Sequence, residues 1–487
     1  MNARTCGYLC VLTGLFAGFA GCTANKPYRT TLPIPPNLSS NQICPSRTND
    51  GARTYAIEDH GSYKLGLVEL DDQGWFWSHR QWDAVKDAIK TEASNNDDGL
   101  EIIVFVHGWK NNAAYSDTNV ETFRGMLANL NQAIAERDTK FGFNPPRRVF
   151  GVYVGWRGLS AASDWFPPLA KELSFYNRKN AAERIGHAGA ATQIFTELEV
   201  MRDEFNATRT NKFPAFPPTK LVIIGHSFGA ALVYSAISDV LTERLVLTTS
   251  QKGKIPLRSL GDLVILLSPA FEASLYNNLI ALATSYDIQY PTNQRPVLGI
   301  FTSRGDWPNK VAFPFGRFFS TLFEKTRRTN DSCLFNIKKE SPPDQGSAIR
   351  HTVGFDEDYV TYDLDYTNYP KASRAHALDT NPAFSYFTNI NHLQDQWTTN
   401  KAAPFVFQRS GANAASTNHY ACVLAPRQGS KYQDKPENPI LNVSVDTRIM
   451  AGHDDFANSN LVHFLQDFIL FTGTNHLNKA ARPIPGR

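Results

Sequence analysis

The segment Gly225-His226-Ser227-Phe228-Gly229 has the residue types and spacing of a nucleophilic serine. It directly follows the apolar run Leu221-Val222-Ile223-Ile224 and directly precedes a stretch with helical spacing. A serine hydroxyl is a weak nucleophile, so it needs exposure, a nearby base and donors for the developing oxyanion. A sharp strand-to-helix turn supplies the exposure, and glycine two residues to either side lets strand and helix approach closely. The pattern therefore predicts acyl-transfer chemistry at Ser227.

The elements that would position this serine alternate between buried strands and helices. Continuous apolar runs predict strands that are buried on both faces, as a parallel sheet requires. These strands are Ile102–Val106, Val149–Val154, Leu221–Ile224, Leu263–Leu267, Val297–Phe301 and Leu441–Val445. Helices are predicted by their spacing over Trp82–Ile89, Thr118–Arg137, Asn180–Phe205, Phe228–Leu241 and Asn458–Phe471. The alternation predicts an α/β fold with a mainly parallel central sheet flanked by helices.

A different pattern precedes the first buried strand. Residues Tyr63–Leu70 alternate in the manner of a half-buried strand, and the turn Asp71–Gly74 leads to the aromatic segment Trp75–Trp77. These features predict an antiparallel hairpin at one edge of the sheet.

In this strand and helix context, the serine motif resembles the nucleophile elbow of the α/β-hydrolase superfamily. The resemblance covers roughly residues 60–305 and 440–471, and it implies the α/β-hydrolase fold. The segment His107-Gly108-Trp109, after the strand Ile102–Val106, resembles the oxyanion loop of that family. By this match, the main-chain N–H groups of Trp109 and Phe228 bind the oxyanion, while His107 orders the loop.

The same resemblance implies where the acid and the base stand in the chain. Asp306 lies just past the strand Val297–Phe301, at the usual position of the family's acid, and Glu272 is the alternative acid. His453 follows the last strand, in a loop of small residues before the terminal helix. The order Ser227, Asp306, His453 is the family's order of nucleophile, acid and histidine. Asp306 would hold the imidazole of His453, which would take the proton of Ser227.

The segment from Asp306 to Asn438 breaks the alternation of strands and helices. It is long and rich in proline, asparagine and aromatic residues. It is interpreted as a cap insertion over about residues 307–438, above the carboxyl edge of the sheet, where ligands bind in such folds. Cys333 and Cys422 both lie in it, and they are either a disulfide or two unpaired residues.

The N-terminus has the pattern of an export signal. Arg4 precedes an apolar run, Tyr8 to Ala20, that has the length of a signal-peptide core. The run ends in Phe19-Ala20-Gly21-Cys22, which resembles the lipobox of bacterial lipoproteins, although an ordinary signal peptide is the alternative. The resemblance implies that residues 1–21 are removed and that Cys22 is acylated. The residue after it is not aspartate, which implies the outer membrane of the cell envelope. Residues 22–50 are predicted to be a flexible tether, and residues 51–487 the hydrolase domain.

Composition narrows the expected partners. The chain of 487 residues is 42% apolar and 20% charged, and its net charge of +3 does not indicate nucleic-acid binding. Motifs for metal or nucleotide binding are missing from the sequence, so no cofactor is expected. The expected function is hydrolysis of a small-molecule or lipid carboxylic ester by a membrane-anchored serine esterase or lipase-like enzyme. The alternatives are a catalytically inactive envelope lipoprotein of the same fold and an acyltransferase or peptidase with the same triad. The sequence leaves acyl and alcohol specificity, cap mobility, membrane face and oligomeric state open.

Overall fold

The structure is a computed structural model, and the part of the chain that it describes has several gaps. The described residues are 25–33, 51–96, 99–140, 144–159, 168–208, 219–322, 324–326, 343–369, 393, 396–397, 399, 404–408, 419–432 and 437–473. The predicted signal peptide over residues 1–21, the predicted acylation site Cys22 and one half of the possible disulfide, Cys333, lie outside the described residues.

One sheet organises the molecule. Its strands are β1 (Ile57–Asp59), β2 (Lys64–Glu69), β3 (Leu100–Val106), β4 (Arg148–Gly155), β5 (Lys220–His226), β6 (Leu263–Leu267), β7 (Leu298–Ser303), β8 (Tyr362–Tyr369), β9 (Phe405–Gln408), β10 (His419–Pro426) and β11 (Ile440–Val445). These 11 strands lie in the order β1-β2-β4-β3-β5-β6-β7-β11-β8-β10-β9. All neighbours from β2 to β8 pair in parallel, and β1, β10 and β9 pair antiparallel at the two edges. The predicted mainly parallel sheet is confirmed.

Helices cover both faces of this sheet. They are α1 (His79–Ser94), α2 (Thr118–Lys140), α3 (Pro168–His187), α4 (Ala190–Thr208), α5 (Phe228–Ser250), α6 (Ala273–Ala283), α7 (Phe313–Ser320), α8 (Gln345–Ala348) and α9 (Ser459–Gly473). Alternate residues of β3 belong to two separate apolar clusters, because successive side chains of a strand point to opposite faces. Helices α1, α3, α4, α5 and α6 contribute to one cluster, and α2 and α9 contribute to the other. The α/β prediction is therefore confirmed as well.

One local prediction about these elements is confirmed only in part, and another is wrong. The turn Asp71–Gly74 brings Trp75–Trp77 back antiparallel to the end of β2 through the bridge between Phe76 and Leu70, but the strand at the edge of the sheet is β1. The predicted helix Asn180–Phe205 is two helices, α3 and α4, because Gly189 between them has a φ of +99° that a helix cannot contain. The periodicity of the sequence continues across this break, so it does not reveal it.

The insertion before the last strand has two parts that lie in different places. A π-helix, Pro308–Ala312, and α7 follow β7 directly at the carboxyl edge of the sheet. Strands β8, β9 and β10 instead extend the sheet beyond β11, so the prediction of a cap over residues 307–438 is wrong for these strands. Their inward side chains, among them Leu364, Phe407 and Leu424, complete the apolar cluster beneath α9. This part of the insertion therefore widens the sheet by three strands, whereas the sequence predicted a cap above it.

A short N-terminal segment, residues 25–33, packs against the carboxyl end of β2. The side chain of Arg29 is buried, and its Nη1 donates to Glu58 Oε1 at 2.8 Å while its Nε donates to the carbonyl of Ala113 at 2.6 Å. Its main-chain N–H donates to Glu69 Oε1 at 2.8 Å. The prediction of a flexible tether over residues 22–50 is therefore wrong for this part, since a single buried arginine fixes it in a way that composition cannot indicate.

The strand order creates a crevice at the carboxyl edge. Strands β3 and β5 are parallel neighbours, but the chain leaves β3 towards β4 and leaves β5 towards β6. In open α/β sheets, ligands bind where two such connections diverge. Within the described part of the chain, the helices lack the combination of length and apolar character that spanning a membrane demands.

Candidate active site

Ser227 occupies the turn between β5 and α5, at this crevice. Its φ of 56° and ψ of −120° lie in a region that L residues rarely adopt. The main-chain N–H of Ser227 donates to the carbonyl of Leu267 on β6 at 2.9 Å, which fixes the turn. A Cβ on Gly229 would lie 2.2 Å from the carbonyl oxygen of Val106, so only glycine lets α5 begin this close to β3. The turn presents the hydroxyl above the sheet edge.

The three residues predicted to form a triad are in contact. The Oγ of Ser227 lies 2.7 Å from Nε2 of His453, and Nδ1 of His453 lies 2.9 Å from Oδ2 of Asp306. A carboxylate can only accept, so Nδ1–H donates to Asp306 and the Ser227 hydroxyl donates to the free Nε2. The side chain of Asp306 is fully buried, whereas that of His453 is 13% exposed. The three groups come from the carboxyl ends of β5, β7 and β11.

Electrostatics around His453 favour its protonated form. Burial is the strongest single influence and lowers the pKa of His453, but the hydrogen bond and the charge of Asp306 outweigh it. Asp454 adds to the increase and Lys110 opposes it. The pKa of His453 is raised as a result, so the imidazole can accept a proton from Ser227 and keep it while a tetrahedral intermediate forms.

Glu272, the alternative acid, has other partners. Its Oε2 lies 2.9 Å from Nζ of Lys179 on α3, and its Oε1 lies 3.0 Å from Nε of Arg317 on α7. This buried cluster of charges ties α3 and α7 to the segment between β6 and α6. The structure thus brings Asp306, and not Glu272, to His453.

The loop after β3 stands against the serine. A Cβ on Gly108 would lie 2.9 Å from the Cβ of Ser227, so the loop approaches the nucleophile as closely as glycine permits. Lys110, at a φ of 71°, donates its main-chain N–H to Gly158 at 3.1 Å and so fixes the loop from the other side. Among the described residues, the main-chain N–H groups of Trp109 and Phe228 have no hydrogen-bond partner. They are available to an anion at Ser227.

His107 is part of the support of this loop. Its Nε2 accepts from the main-chain N–H of Trp156 at 3.0 Å, and its Nδ1 contacts the carbonyl of Gly108 at 2.9 Å. Its ring stacks on that of Trp156 with centroids 5.5 Å apart. Burial lowers the pKa of His107 to about 4, so the ring is neutral and orders the loop.

Asn309 was not singled out in the sequence, although it holds the acid. Its main-chain N–H donates to Oδ1 of Asp306 at 3.0 Å, and its Nδ2 donates to Oδ2 at 2.9 Å. The same Nδ2 donates to the carbonyl of Ser268, at the end of β6, at 2.9 Å. The sequence carries a signal for this contact, because an aspartate followed by proline in the next turn is typical of a helix start.

His226 is a second residue of the site whose role the sequence did not indicate. It fills the variable position of the serine motif, and its Nε2–H donates to the main-chain oxygen of His453 at 2.8 Å. Burial, followed by the charge of His453, lowers the pKa of His226 to about 4. A neutral His226 thereby ties the loop of His453 to the strand that carries Ser227.

One group of side chains within the described residues could hold a metal ion. Ligand atoms of His226, His453 and Asp454 lie within 4.8 Å of one another. Both ring nitrogens of His453 already contact Ser227 and Asp306. An ion bound to His453 would displace one of these contacts, so metal binding and a connected triad exclude each other here.

The fold and the site together define an α/β protein with a connected serine, histidine and aspartate at the carboxyl edge of its parallel sheet. Comparison of the chain with protein-family models finds no match, and comparison with curated proteins finds none either.

Proposed function

We propose that the chain is a serine hydrolase of the α/β-hydrolase fold that cleaves carboxylic esters through an acyl-enzyme on Ser227. The observation that carries the proposal is the continuous line from Ser227 Oγ to His453 (2.7 Å) and from His453 to Asp306 (2.9 Å). A hydroxyl, an imidazole and a buried carboxylate in this order are the parts needed to activate a serine.

The mechanism follows from the contacts. His453 Nε2 accepts the proton as Ser227 Oγ attacks the ester carbonyl, and Asp306 stabilises the imidazolium that results. The tetrahedral oxyanion is bound by the N–H groups of Trp109 and Phe228, and loss of one such donor typically costs about 3 kcal/mol. His453 then returns the proton to the leaving alkoxide, and water repeats the sequence on the acyl-enzyme.

Features of the fold support the assignment to the α/β-hydrolase superfamily. The nucleophile, acid and histidine follow β5, β7 and β11 in that order along the chain, which is the order of this superfamily. The serine stands on a strained strand-to-helix turn, and the oxyanion loop follows β3. Ester hydrolysis is the proposed reaction because most members with this turn are esterases or lipases.

We also propose an anchored location for the enzyme. Acylation of Cys22 would hold it on the outer membrane of a bacterial envelope, since each buried methylene contributes about 0.8 kcal/mol. Its partners would be a small-molecule or lipid ester and the membrane that carries the anchor, without a cofactor or nucleic acid.

A fluorophosphonate probe tests the nucleophile. The wild-type chain and the variant Ser250→Ala, which removes an exposed hydroxyl at the end of α5, should label alike, and Ser227→Ala should not label. Hydrolysis of p-nitrophenyl esters of increasing chain length should depend on Ser227 in the same way and would define the acyl preference.

The alternatives give different results in these experiments. A catalytically inactive envelope lipoprotein would leave the probe unreacted in the wild-type chain, which would refute the proposal. An acyltransferase would transfer the acyl group to an added alcohol or amine in preference to water. A peptidase would cleave amide substrates at rates that the esters do not exceed.

A further inference from the structure

The helical segment after Asp306 turns an apolar face outward. Its exposed side chains are Trp307 (63%), Val311 (45%), Phe315 (64%), Phe318 (46%) and Leu322 (52%). Val311, Phe315 and Phe318 follow one another at spacings of four and three residues, which places them along one side of the π-helix and α7. Trp307 and Leu322 flank the two ends of this helical segment, and we call the five residues the outer stripe. Helices on a protein surface ordinarily place such a stripe towards the core, and contiguous exposed apolar patches commonly mark a binding surface.

The opposite side of this segment is held inward by polar and aromatic contacts. Asn309 bonds to Asp306, and Arg317 pairs with Glu272 at 3.0 Å. Between them, Phe313 is fully buried and lies 6.5 Å from the ring of Phe175. The outer stripe therefore cannot turn towards the core without breaking the contacts that hold the acid.

Further exposed aromatic residues lie at the same edge of the sheet. Trp75 is 69% exposed and Trp77 is 36% exposed, both in the loop after the carboxyl end of β2. In the sheet order, β4, β3, β5 and β6 separate β2 from β7, so Trp75 and Trp77 lie on one side of Ser227 and the outer stripe on the other. Tryptophan is the residue most typical of the interface between a membrane and water.

Cations accompany these apolar groups. Lys26, Lys110, Lys310 and Lys325 are exposed, and the ion pairs among the described residues do not include them, although Nζ of Lys110 lies over the ring of Trp109 at 4.4 Å. Lys110 lies in the loop after β3, Lys310 lies in the π-helix that carries part of the outer stripe, and Lys325 follows Leu322 in the sequence. Unpaired lysines beside exposed tryptophan and phenylalanine complement a surface that is apolar inside and anionic outside.

The N-terminal segment supplies an independent observation. Asn25 and Lys26 line a surface cavity with Trp77, Lys110 and Asn111, so the chain reaches this same edge of the sheet. Cys22 is three residues from Asn25, which limits the distance between their Cα atoms to about 11 Å. A lipid on Cys22 would enter a membrane close to the oxyanion loop.

We propose that the carboxyl edge of the sheet docks on a lipid surface with anionic headgroups, with the outer stripe and the loop of Trp75 and Trp77 in contact with it. Ser227 then opens towards the membrane, and lipids or lipid-borne esters are its substrate class. This last step rests on the proposed function, whereas the docking itself does not require catalysis.

Binding to vesicles tests the docking surface. The experiment uses the chain from residue 22 with Cys22→Ala and Ser227→Ala, so that neither acylation nor catalysis contributes. Co-sedimentation with vesicles of phosphatidylethanolamine and phosphatidylglycerol should show binding that Phe315→Ser with Phe318→Ser weakens by about tenfold or more. The matched control is Ile255→Ser with Tyr286→Ser, two exposed apolar side chains at the opposite edge of the sheet, which should leave binding unchanged.

Two further measurements sharpen the result. Lys110→Gln and Lys310→Gln should each weaken binding about fivefold on the anionic vesicles and have no effect on phosphatidylcholine vesicles. Brominated lipids should quench tryptophan fluorescence less in Trp307→Phe than in the parent chain. Thermal unfolding of every variant verifies that it is folded.

The outcomes separate docking from catalysis. If the folded parent chain does not bind vesicles, or if the two serine pairs weaken binding equally, docking at this edge is refuted. A chain that binds vesicles as described but does not react with a fluorophosphonate keeps the docking surface and loses the proposed hydrolase function.

Discussion

The main chain at Ser227 is held where few side chains are tolerated, and its neighbours keep it there. A backbone in such a region costs about 1–3 kcal/mol, so surrounding contacts must compensate. Leu267 accepts the N–H of Ser227, and β3 leaves no room for a side chain at Gly229. These contacts hold the strained turn, and they keep the hydroxyl at the crevice within hydrogen-bond distance of the imidazole of His453.

Asp306→Asn and Glu272→Gln decide which carboxylate serves His453. Asp306→Asn should lower kcat/KM for an ester by about 10⁴-fold, because the amide cannot hold the required tautomer or stabilise the imidazolium. Glu272→Gln should retain most of the activity but lower the free energy of unfolding, since Lys179 and Arg317 lose their charged partner. Steady-state kinetics and urea unfolding measure both effects. A large kinetic loss in Glu272→Gln alone would reverse the assignment.

The contacts of His453 determine in which direction the pH profile of the same variants should shift. His453 must be neutral to act as base, so activity falls as pH drops through its pKa, which lies above the ordinary 6.5. Asp306→Asn removes the two largest effects that raise this pKa and leaves burial, which lowers it. The acid limb of its residual activity should therefore move to lower pH, whereas that of Glu272→Gln should stay in place.

At the scale of single residues, the sequence indicates the residues of the triad better than the residues that hold them in place. Ser227, Asp306 and His453 stand at strand ends in a characteristic order, and the structure brings them together. Asn309 also donates to the main-chain carbonyl of Ser268, and His226 donates to that of His453. Both carbonyls belong to residues far away in the sequence, and such contacts leave no periodicity. Only the helix-start pattern at Asp306 gave a local indication of one of them.

Among the elements, β3 and the start of α5 approach each other closely beside the site. Gly229→Ala would place a Cβ 2.2 Å from the oxygen of Val106 and 2.4 Å from that of His107, so strand and helix must separate. We expect the free energy of unfolding to fall by about 1–3 kcal/mol, together with loss of fluorophosphonate labelling.

Gly125→Ala is the matched control for this prediction. Gly125 lies in α2, and nothing lies within 4 Å of a Cβ built on it. Alanine there should raise the free energy of unfolding by about 0.5–1 kcal/mol, because glycine is a poor helix former. Equal stability of the two variants in urea unfolding would contradict the close approach of α5 to β3.

The elements differ in how visible they are in the sequence. Parallel strands such as β3 and β5 are buried on both faces and read as continuous apolar runs, so they were predicted. Strand β8 alternates, because Leu364 faces the core while Asp363 and Asp365 pair with Arg304 outside. An expectation of continuous burial misses such a strand, and the sheet is wider than the sequence suggested.

For the whole molecule, two buried neutral histidines make stability depend on pH. The pKa values of His107 and His226 are both lowered from 6.5 to about 4. The unfolded chain binds these protons first, so the stability they contribute is complete above pH 6.5 and is lost as pH falls towards 4. At about 1.4 kcal/mol per pH unit, each histidine accounts for at most about 3–4 kcal/mol. The pKa of His453 is raised, so the stability that His453 contributes is present at low pH and is lost as the pH rises through its pKa.

Urea unfolding at pH 7.5, 5.5 and 4.5 measures this dependence. In His107→Asn, the slope of stability against pH below 6.5 should fall by about 1.4 kcal/mol per pH unit, which corresponds to one proton. His463→Asn, on the exposed side of α9, should leave the slope as it is. An unchanged slope in His107→Asn would mean that His107 is protonated in the folded chain.

The burial of Arg29 fixes the chain to the domain only seven residues after Cys22. If Cys22 is acylated and the chain has the proposed hydrolase function, the protein would diffuse laterally within its leaflet and meet esters by a two-dimensional search. Turnover would then follow the mole fraction of ester in that leaflet, and dilution of the ester with inert lipid would slow it at constant bulk concentration.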